Sequence, residues 1–276
     1  MDVLVLADIH DTWTHLNEML QLAKDMDGVI FLGDLMKFRK FTQESIDDMT
    51  RIKEESNWMV GVPGNGPLPK VREFLDDLGI SLHGKGTIVD DLGFFGVGGV
   101  QETVKTIAGI RDFYRNNDTS SLFPNEQALE TLSTFGILYQ NGQFVVEDWS
   151  DVEPAALDKF SSPFEISEEA IYKELSKGFQ QIRNAHNKIL ISHVPPYESG
   201  FVSTLEIGVS TGSRSITRFI EDNPLKLALS GHYHMHHEFT IGTTTCVVMP
   251  AVANGFYGVL SVDTDSWEMR TEICKF

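Results

Sequence analysis

The stretch DVLVLADIH, residues 2–10, is an apolar run followed at once by two potential metal ligands. Four further apolar runs, at 29–33, 58–64, 188–192 and 225–231, also lead directly into polar side chains of this kind. The side chains concerned are Asp8, His10, Asp34, Asn65, His193, His232 and His234. Short apolar runs that alternate with helical patterns are typical of β-α-β units with parallel strands. Because such strands end at a common edge of the sheet, we expect these seven side chains to form one site there.

The length and composition predict a single α/β domain over residues 1–276. A chain of 276 residues with 41% hydrophobic content can bury a sizeable core. The segment from about 103 to 162 is less regular, because Pro124, the pair Asn141-Gly142 and Pro154 interrupt it. We therefore predict an insertion at about 103–162 within the one domain.

The apolar periodicity predicts which segments are helical and how the sheets are composed. A first helix, capped by Thr12 or Thr14, is expected to carry Leu16 on its apolar face. Further helices are expected from about Thr42 and over Leu68–Leu78, and Ser167 and Ser213 are expected to cap two more. Paired β-like runs around 86–99 and in the final fifty residues indicate antiparallel strands beside the parallel ones. The pattern therefore favours two mixed sheets stacked between layers of helices.

Charge and cysteine usage narrow the partners and the compartment. The formal net charge of -18 argues against a broad basic surface for nucleic acid or anionic lipid, so nucleic acid is not an expected partner. The two cysteines, Cys246 and Cys274, argue against a disulfide framework and a thiolate metal site. No apolar stretch approaches the roughly 20 residues of a membrane span, and the N-terminus has no leader pattern. We expect a cytoplasmic protein without a membrane partner; its oligomeric state is open.

The spacing of the ligands predicts how they reach an ion. Residues two apart in an extended segment point to the same side, so Asp8 with His10, and His232 with His234, can each act as a pair. Glycines stand directly before three of the ligands, at positions 33, 64 and 231. They allow the backbone to turn sharply and approach a ligand closely.

Seven ligands suit two divalent ions that share a carboxylate, and Asp34 is the candidate bridge. The two ions bring four positive charges and the carboxylates of Asp8 and Asp34 remove two, so the site attracts an anion such as a phosphate ester. Imidazole and oxygen ligands without sulfur suit manganese, iron, cobalt or zinc. The expected reaction is hydrolysis of such an ester by a hydroxide that bridges the ions. Asp34, Asn65 and His193 are the residues we expect at the reacting centre.

The ordered motifs DIH, GD, GN, H and GHYH, from residue 8 to 234, resemble those of the calcineurin-like metallophosphoesterase family. Shorter bacterial and archaeal phosphodiesterases of that family look most similar, and the resemblance to them implies a small phosphodiester as the substrate. The resemblance implies a four-layer α-β-β-α sandwich. It also implies that one ion is held by Asp8, His10, Asp34 and His234, and the other by Asp34, Asn65, His193 and His232.

One position departs from the family pattern. The family commonly has a histidine directly after the motif asparagine, and here that position is Gly66. Because a lost general acid typically costs 10²- to 10⁴-fold in rate, the alternative is a non-catalytic interaction module with the same fold. A nuclease is a third reading, and the acidic composition counts against it. His236, His237 or the insertion could supply an acid instead.

Several polar features have no assigned role in this scheme. A basic cluster follows Asp34 and consists of Lys37, Arg39 and Lys40. It either contacts a phosphate or lies in the solvent-exposed segment that leads into the next helix. His15, His83 and His186 fit no motif, and we expect them to be solvated or capping residues. Residues that bind the organic part of a substrate are not identifiable from the sequence.

Overall fold

The computed structural model describes residues 1–36, 42–65, 68–101, 114–115, 129, 132–133, 137–146, 165–197, 203–205, 208–210, 212–223 and 225–276. Most of the predicted insertion at 103–162 lies outside these residues, so the insertion stays a prediction. Gly66 and the basic residues Lys37, Arg39 and Lys40 also lie outside them.

The elements alternate between strands and helices in the first third of the chain and become strand-rich near its end. The strands are β1 Asp2–Leu6, β2 Gly28–Phe31, β3 Met59–Gly61, β4 Gly86–Val89, β5 Leu92–Val97, β6 Val100–Gln101, β7 Ile137–Gln140, β8 Gln143–Val146, β9 Glu165–Ile166, β10 Asn187–Ser192, β11 Ser203–Leu205, β12 Gly208–Ser210, β13 Leu227–Ser230, β14 His237–Ile241, β15 Thr244–Val248, β16 Phe256–Val262 and β17 Met269–Lys275. The α-helices are α1 Leu16–Asp25, α2 Gln43–Glu55, α3 Leu68–Asp77, α4 Glu168–Gln181 and α5 Arg214–Asp222.

Two large sheets contain most of the strands. The first has the order β17-β16-β1-β2-β3, and the second has the order β14-β15-β13-β10-β5-β4. In both sheets the central strands are parallel: β1 pairs with β2 and β2 with β3, while β10 pairs with β5 and β13. Antiparallel pairs, such as β1 with β16 and β4 with β5, complete them. Both sheets are therefore mixed, as the sequence predicted.

Alternation of side chains along the strands produces a four-layer core. Val5 of β1 and Ile191 of β10 belong to one buried cluster between the two sheets. Leu4 and Leu6, on the opposite face of β1, pack with residues of α1, α2 and α3. Leu190, on the opposite face of β10, packs with α4 and α5. Helices thus cover the outer face of each sheet, and the predicted α-β-β-α sandwich is confirmed.

Most predicted helix starts are confirmed by side-chain caps. Thr42 accepts a hydrogen bond from the amide of Ser45, Ser167 from that of Ala170, and Ser213 from that of Ile216. The first helix differs, because its N-cap residue is His15, whose side chain makes no capping hydrogen bond, rather than a threonine. A side chain of α4 adds a second cap to α5: the Glu168 carboxylate accepts hydrogen bonds from Ser213 Oγ at 2.6 Å, Arg214 N at 3.0 Å and Ser215 N at 2.8 Å.

The strand-rich end of the chain divides between the two sheets. The hairpin of β14 and β15 extends the second sheet, where β15 lies parallel to β13. The hairpin of β16 and β17 crosses to the first sheet and pairs antiparallel with β1. The connection between the hairpins contains the 3₁₀ turn Val252–Asn254, whose residue Ala253 donates its amide hydrogen to the carbonyl of Asp8 at 3.2 Å. The connection between the two hairpins therefore packs against the loop that contains Asp8.

Among the described residues, none of the helices is long and apolar enough to cross a membrane.

Candidate metal centre

The loops after β1 and β2 run side by side and bring the first ligands together. Asp8 donates its amide hydrogen to the carbonyl of Gly33, and His10 donates to the carbonyl of Asp34, both at 3.0 Å. Asp8, His10 and Asp34 have φ values of 52°, 50° and 53°. The sequence predicted that Asp8 and His10 act as a pair because they lie in an extended segment. That reason is wrong, because the backbone of both residues is in the left-handed conformation. Such conformations cost energy and cluster at functional sites.

A first group of ligand atoms forms around Asp8. The Nε2 atoms of His10 and His234 lie 3.0 Å apart. Asp8 Oδ1 lies 3.4 Å from Nε2 of His234 and 3.9 Å from Nε2 of His10. Asp34 adds its Oδ2 atom, 3.8 Å from Nε2 of His10. Donor atoms from three separate loops thus surround a single point.

A second group forms around His193, at the end of β10. Its Nε2 atom lies 2.9 Å from Oδ1 of Asn65 and 3.6 Å from Oδ2 of Asp34. Asp8, Asp34 and His193 also offer three ligand atoms within 4.8 Å of one another. The same oxygen of Asp34 therefore faces histidines of both groups.

His232 lies beside the second group, which it contacts through its ring, and it contacts Asp8 through its backbone amide. Its ring packs edge-on against that of His193, with 4.9 Å between the centroids, and its amide donates to Asp8 Oδ2 at 2.9 Å. Burial, and next the charge of His193, hold the pKa of His232 well below its usual value. The imidazole of His232 is therefore neutral at physiological pH. His232 and His234, which the spacing predicted as a pair, face different neighbours.

The hydrogen bonds of His10 and His193 prepare both rings to bind a cation. His10 Nδ1 donates to the carbonyl of Met36 at 3.0 Å, and His193 Nδ1 donates to the carbonyl of Leu32 at 2.8 Å. A carbonyl can only accept, so Nδ1 carries the proton, and in the neutral ring Nε2 presents its lone pair to the site. Backbone carbonyls commonly fix metal-binding histidines in this way.

Asp8 shows that the group suits a cation. Burial alone would raise the pKa of Asp8, but the imidazoles of His234, His193 and His10 outweigh burial and hold its pKa below the usual range. The carboxylate is therefore ionised. Its Oδ1 atom is buried and accepts no hydrogen bond of normal geometry from any described residue. Because a buried carboxylate oxygen without a normal hydrogen bond is costly, the donor set fits a divalent cation at this atom.

Glycines allow the ligand loops to approach one another. A Cβ atom at Gly64 would lie 1.9 Å from Oδ1 of Asp34, and one at Gly33 would lie 2.6 Å from Nδ1 of His193. Gly33 also has a φ of 100°, which L side chains rarely adopt. At the third predicted position, a Cβ atom at Gly231 would lie 2.6 Å from Oδ2 of Asp8. All three glycines therefore stand where the sequence predicted close approach.

Some contributors to the site carried no sequence signal. The carbonyls of Leu32 and Met36 orient two histidines, and backbone groups have no side-chain motif by which to recognise them.

His83 was expected to be a solvated or capping residue, and the expectation of a solvated side chain is wrong. The side chain is buried, and its Nδ1 atom accepts the amide hydrogen of Gly98 at 3.0 Å. Burial follows from the topology, which a lone histidine does not indicate.

Histidine, aspartate and asparagine side chains thus lie together at the ends of strands from both mixed sheets. Residues 1–236 match the model of the calcineurin-like phosphoesterase family. The chain therefore belongs to the calcineurin-like phosphoesterases, and the resemblance inferred from its motifs is confirmed.

Individual relatives are distant. The chain is 26% identical over 193 residues to the uncharacterized protein MJ1162 of Methanocaldococcus jannaschii, a match that covers 68% of this chain and 84% of MJ1162. Among solved structures, it is similar to TT1561 of Thermus thermophilus, with a TM-score of 0.62, 15% identity and coverage of 98% and 97% of the two chains. It is also similar to a dimetal phosphatase from Danio rerio, with a TM-score of 0.56, 12% identity and coverage of 100% and 96%. At these identities the two structures support the fold alone.

Proposed function

We propose that the protein is a metal-dependent hydrolase of a small phosphodiester, with two divalent ions at the site described above. The observation that carries the proposal is the position of Asp34. Its Oδ2 atom lies 3.8 Å from Nε2 of His10 and 3.6 Å from Nε2 of His193, so one carboxylate oxygen faces both groups of ligands. This arrangement supports Asp34 as the ligand shared by two ions.

The remaining ligands divide between the ions. Asp8, His10 and His234 would hold one ion with Asp34, and Asn65, His193 and His232 would hold the other. Manganese, iron, zinc and cobalt all suit such a set of imidazole and oxygen donors. Divalent ions in pairs supply hydroxide near neutral pH and charge stabilisation for an in-line displacement at phosphorus.

The protein's own groups would orient the ligands and set the charge of the site. The carbonyls of Met36 and Leu32 hold the imidazoles of His10 and His193 with Nε2 directed inward. Asp8 and Asp34 contribute two negative charges, and the amide side chain of Asn65 contributes none. Two divalent ions would leave the site cationic, and this charge supports a phosphate ester as the substrate.

A decisive experiment combines metal analysis with a panel of phosphomonoesters and phosphodiesters, assayed with and without added manganese. We expect the purified protein to contain manganese, iron or zinc and to cleave an activated phosphodiester such as bis(p-nitrophenyl) phosphate. Asp34→Asn should abolish that activity. Asp47→Asn is the matched control, because Asp47 lies exposed on α2 and its side chain accepts a hydrogen bond from Gln43 on the same helix. An unchanged rate in Asp34→Asn would exclude the proposed mechanism.

Gly66 favours a second candidate, a non-catalytic interaction module that keeps the fold. The glycine stands where family members commonly have a histidine that stabilises the transition state or protonates the leaving group. The same panel separates the candidates: metal-loaded protein that turns over no ester supports the interaction module, whereas turnover of any natural phosphate ester excludes it. The cytoplasmic location and the single-domain organisation stay predictions.

A further inference from the structure

The segment 97–99, at the end of β5, joins the two loops that carry Asn65 and His193. The carbonyl of Val97 accepts the amide hydrogen of His193 at 3.2 Å. The amide of Gly99 donates to the carbonyl of Pro63, two residues before Asn65, at 3.0 Å. A displacement of this segment would therefore move the backbone of both proposed ligands.

The packing of Gly98 leaves little room for such a displacement. A Cβ atom at Gly98 would lie 2.2 Å from the carbonyl oxygen of Pro63 and 2.5 Å from its ring carbons. The glycine backbone is thus in direct contact with the loop that leads to Asn65. Segment 97–99 and residues 63–65 are one packed unit.

The side chain of His83 hydrogen-bonds to the middle of this segment. His83 Nδ1 accepts the amide hydrogen of Gly98 at 3.0 Å, in surroundings where both residues are buried. His83 also lies in a bridge beside Gly96 of β5, where Gly84 donates its amide hydrogen to the Gly96 carbonyl at 3.0 Å. The ring is therefore fixed by backbone contacts on the strand that it supports. Without an acceptor at Nδ1, the amide of Gly98 would be buried and unsatisfied.

We propose that His83 is a positioning residue of the metal centre, which holds segment 97–99 in place and through it the proposed ligands Asn65 and His193. The inference rests on the proposed function, because it assigns these two residues to a metal ion. His83 acts on them through Val97 and Pro63. This role requires a neutral His83 ring with its proton on Nε2, so that Nδ1 can accept the amide hydrogen of Gly98.

The charges around His83 are compatible with that state. Burial is the main cause that lowers the pKa of His83 to about 4, and Arg72 of α3 lowers it further. Glu174 of α4 and Asp76 of α3 oppose this effect without reversing it. His83 is therefore neutral at the pH of an ordinary binding experiment.

The test uses isothermal titration calorimetry to compare the cobalt(II) affinities of four metal-free proteins: wild type, two His83 variants and one control variant. Wild type should bind two ions. His83→Leu, which removes the acceptor, should weaken one of the two by about tenfold, the lower end of the effect of losing a group that hydrogen-bonds a ligand directly. His83→Asn places an acceptor oxygen near the position of Nδ1 and should restore affinity to within about threefold of wild type. Gly79→Ala serves as a destabilised control, since no atom lies within 4 Å of an added Cβ there and its φ is 70°.

Two calorimetric results would overturn the inference: a change of less than about threefold in every cobalt constant of His83→Leu, or an equal loss in His83→Asn. If the variants do not fold, nitrogen-15 NMR of the wild-type ring decides. Nδ1 should be unprotonated at pH 7, and a protonated Nδ1 would refute the inference. Catalysis is a separate readout, because a protein that binds cobalt as expected but cleaves no ester contradicts the proposed function alone. Ester cleavage with unaltered cobalt affinity in His83→Leu contradicts only the role of His83.

Discussion

Gly64 and Asp34 are in such close contact that no other residue fits at position 64 without moving the carboxylate. A Cβ atom on Gly64 would lie 1.9 Å from Oδ1 of Asp34 and 2.2 Å from its amide nitrogen. The contact joins the loop after β3 to the loop after β2, so the two loops hold Asn65 and Asp34 in a fixed relation. The proposed bridging ligand therefore depends on a residue that has no side chain.

We expect Gly64→Ala to lower metal affinity and phosphodiesterase activity by at least tenfold. The added methyl group must displace Asp34 or push the two loops apart, and both changes would disturb the proposed shared ligand. Cobalt titration and steady-state cleavage of bis(p-nitrophenyl) phosphate measure the two effects.

The matched control for this substitution is Gly79→Ala. Gly79 follows α3, has a φ of 70° and has no neighbour within 4 Å of an added Cβ. Alanine there should cost about 1 kcal/mol of stability through its left-handed conformation and leave the activity of the folded protein unchanged. Equal activity losses in the two variants would show that general destabilisation, not Asp34, is responsible.

Metal binding should raise the thermal stability of the protein. Asp8 Oδ1 is buried and accepts no hydrogen bond of normal geometry from the described residues, and a cation there would remove that cost. At a free Mn²⁺ concentration one hundred times the Kd, binding contributes about 2.7 kcal/mol, which corresponds to roughly 5–10 °C in Tm for a chain of this size.

Thermal unfolding with Mn²⁺ and with EDTA measures this shift. Asp34→Asn should reduce it by more than half, while Asp47→Asn on the exposed face of α2 should retain it. A Tm that is the same with Mn²⁺ and EDTA in the wild type would contradict metal binding at this site.

Most of the fold was predictable because its elements follow local rules. The parallel strands are short apolar runs, and Thr42, Ser167 and Ser213 cap the helices that the periodicity indicated. The destination of the last two hairpins was not predictable. Both hairpins have the alternating pattern of β-strands in the sequence. Only the pairing with β1 or β13 decides which sheet each hairpin joins.

The sequence predicted which side chains lie together at the candidate site, but not their backbone geometry. Potential ligand types after successive strands indicated Asp8 and His10, whereas the left-handed φ values at both residues accompany hydrogen bonds to the neighbouring β2 loop. His83 illustrates a further limit. Its role depends on contact with Gly98, fifteen residues away in sequence, and no spacing rule joins the two.

Acid should destabilise the protein through His83. The pKa of His83 is lowered, mainly by burial, from 6.5 to about 4, so the unfolded chain binds a proton more readily than the folded protein. The contribution of neutral, buried His83 to the free energy of unfolding is therefore complete above pH 6.5 and is lost as the pH falls from 6.5 towards 4. A shift of this size corresponds to roughly 3 kcal/mol.

Urea unfolding of metal-free protein at several values between pH 7 and 4 measures this dependence. His83→Asn cannot titrate, so its free energy of unfolding should fall less steeply than that of wild type across the same interval. Parallel curves for the two proteins would show that His83 does not contribute to the acid sensitivity.

Glu168 should contribute to stability through the start of α5 rather than through its own helix. Its carboxylate accepts three hydrogen bonds, from Ser213 Oγ, Arg214 N and Ser215 N, at 2.6 to 3.0 Å. Glu168→Gln replaces a charged acceptor by a neutral one and should lower the free energy of unfolding by about 1–2 kcal/mol.

Glu169→Gln is the matched control: Glu169 lies in the same first turn of α4, is exposed, and experiences the same helix dipole. Its effect should stay within about 0.5 kcal/mol. The difference between the two variants in urea unfolding then isolates the bonds to α5, and equal effects would attribute the role of Glu168 to the dipole of α4 alone.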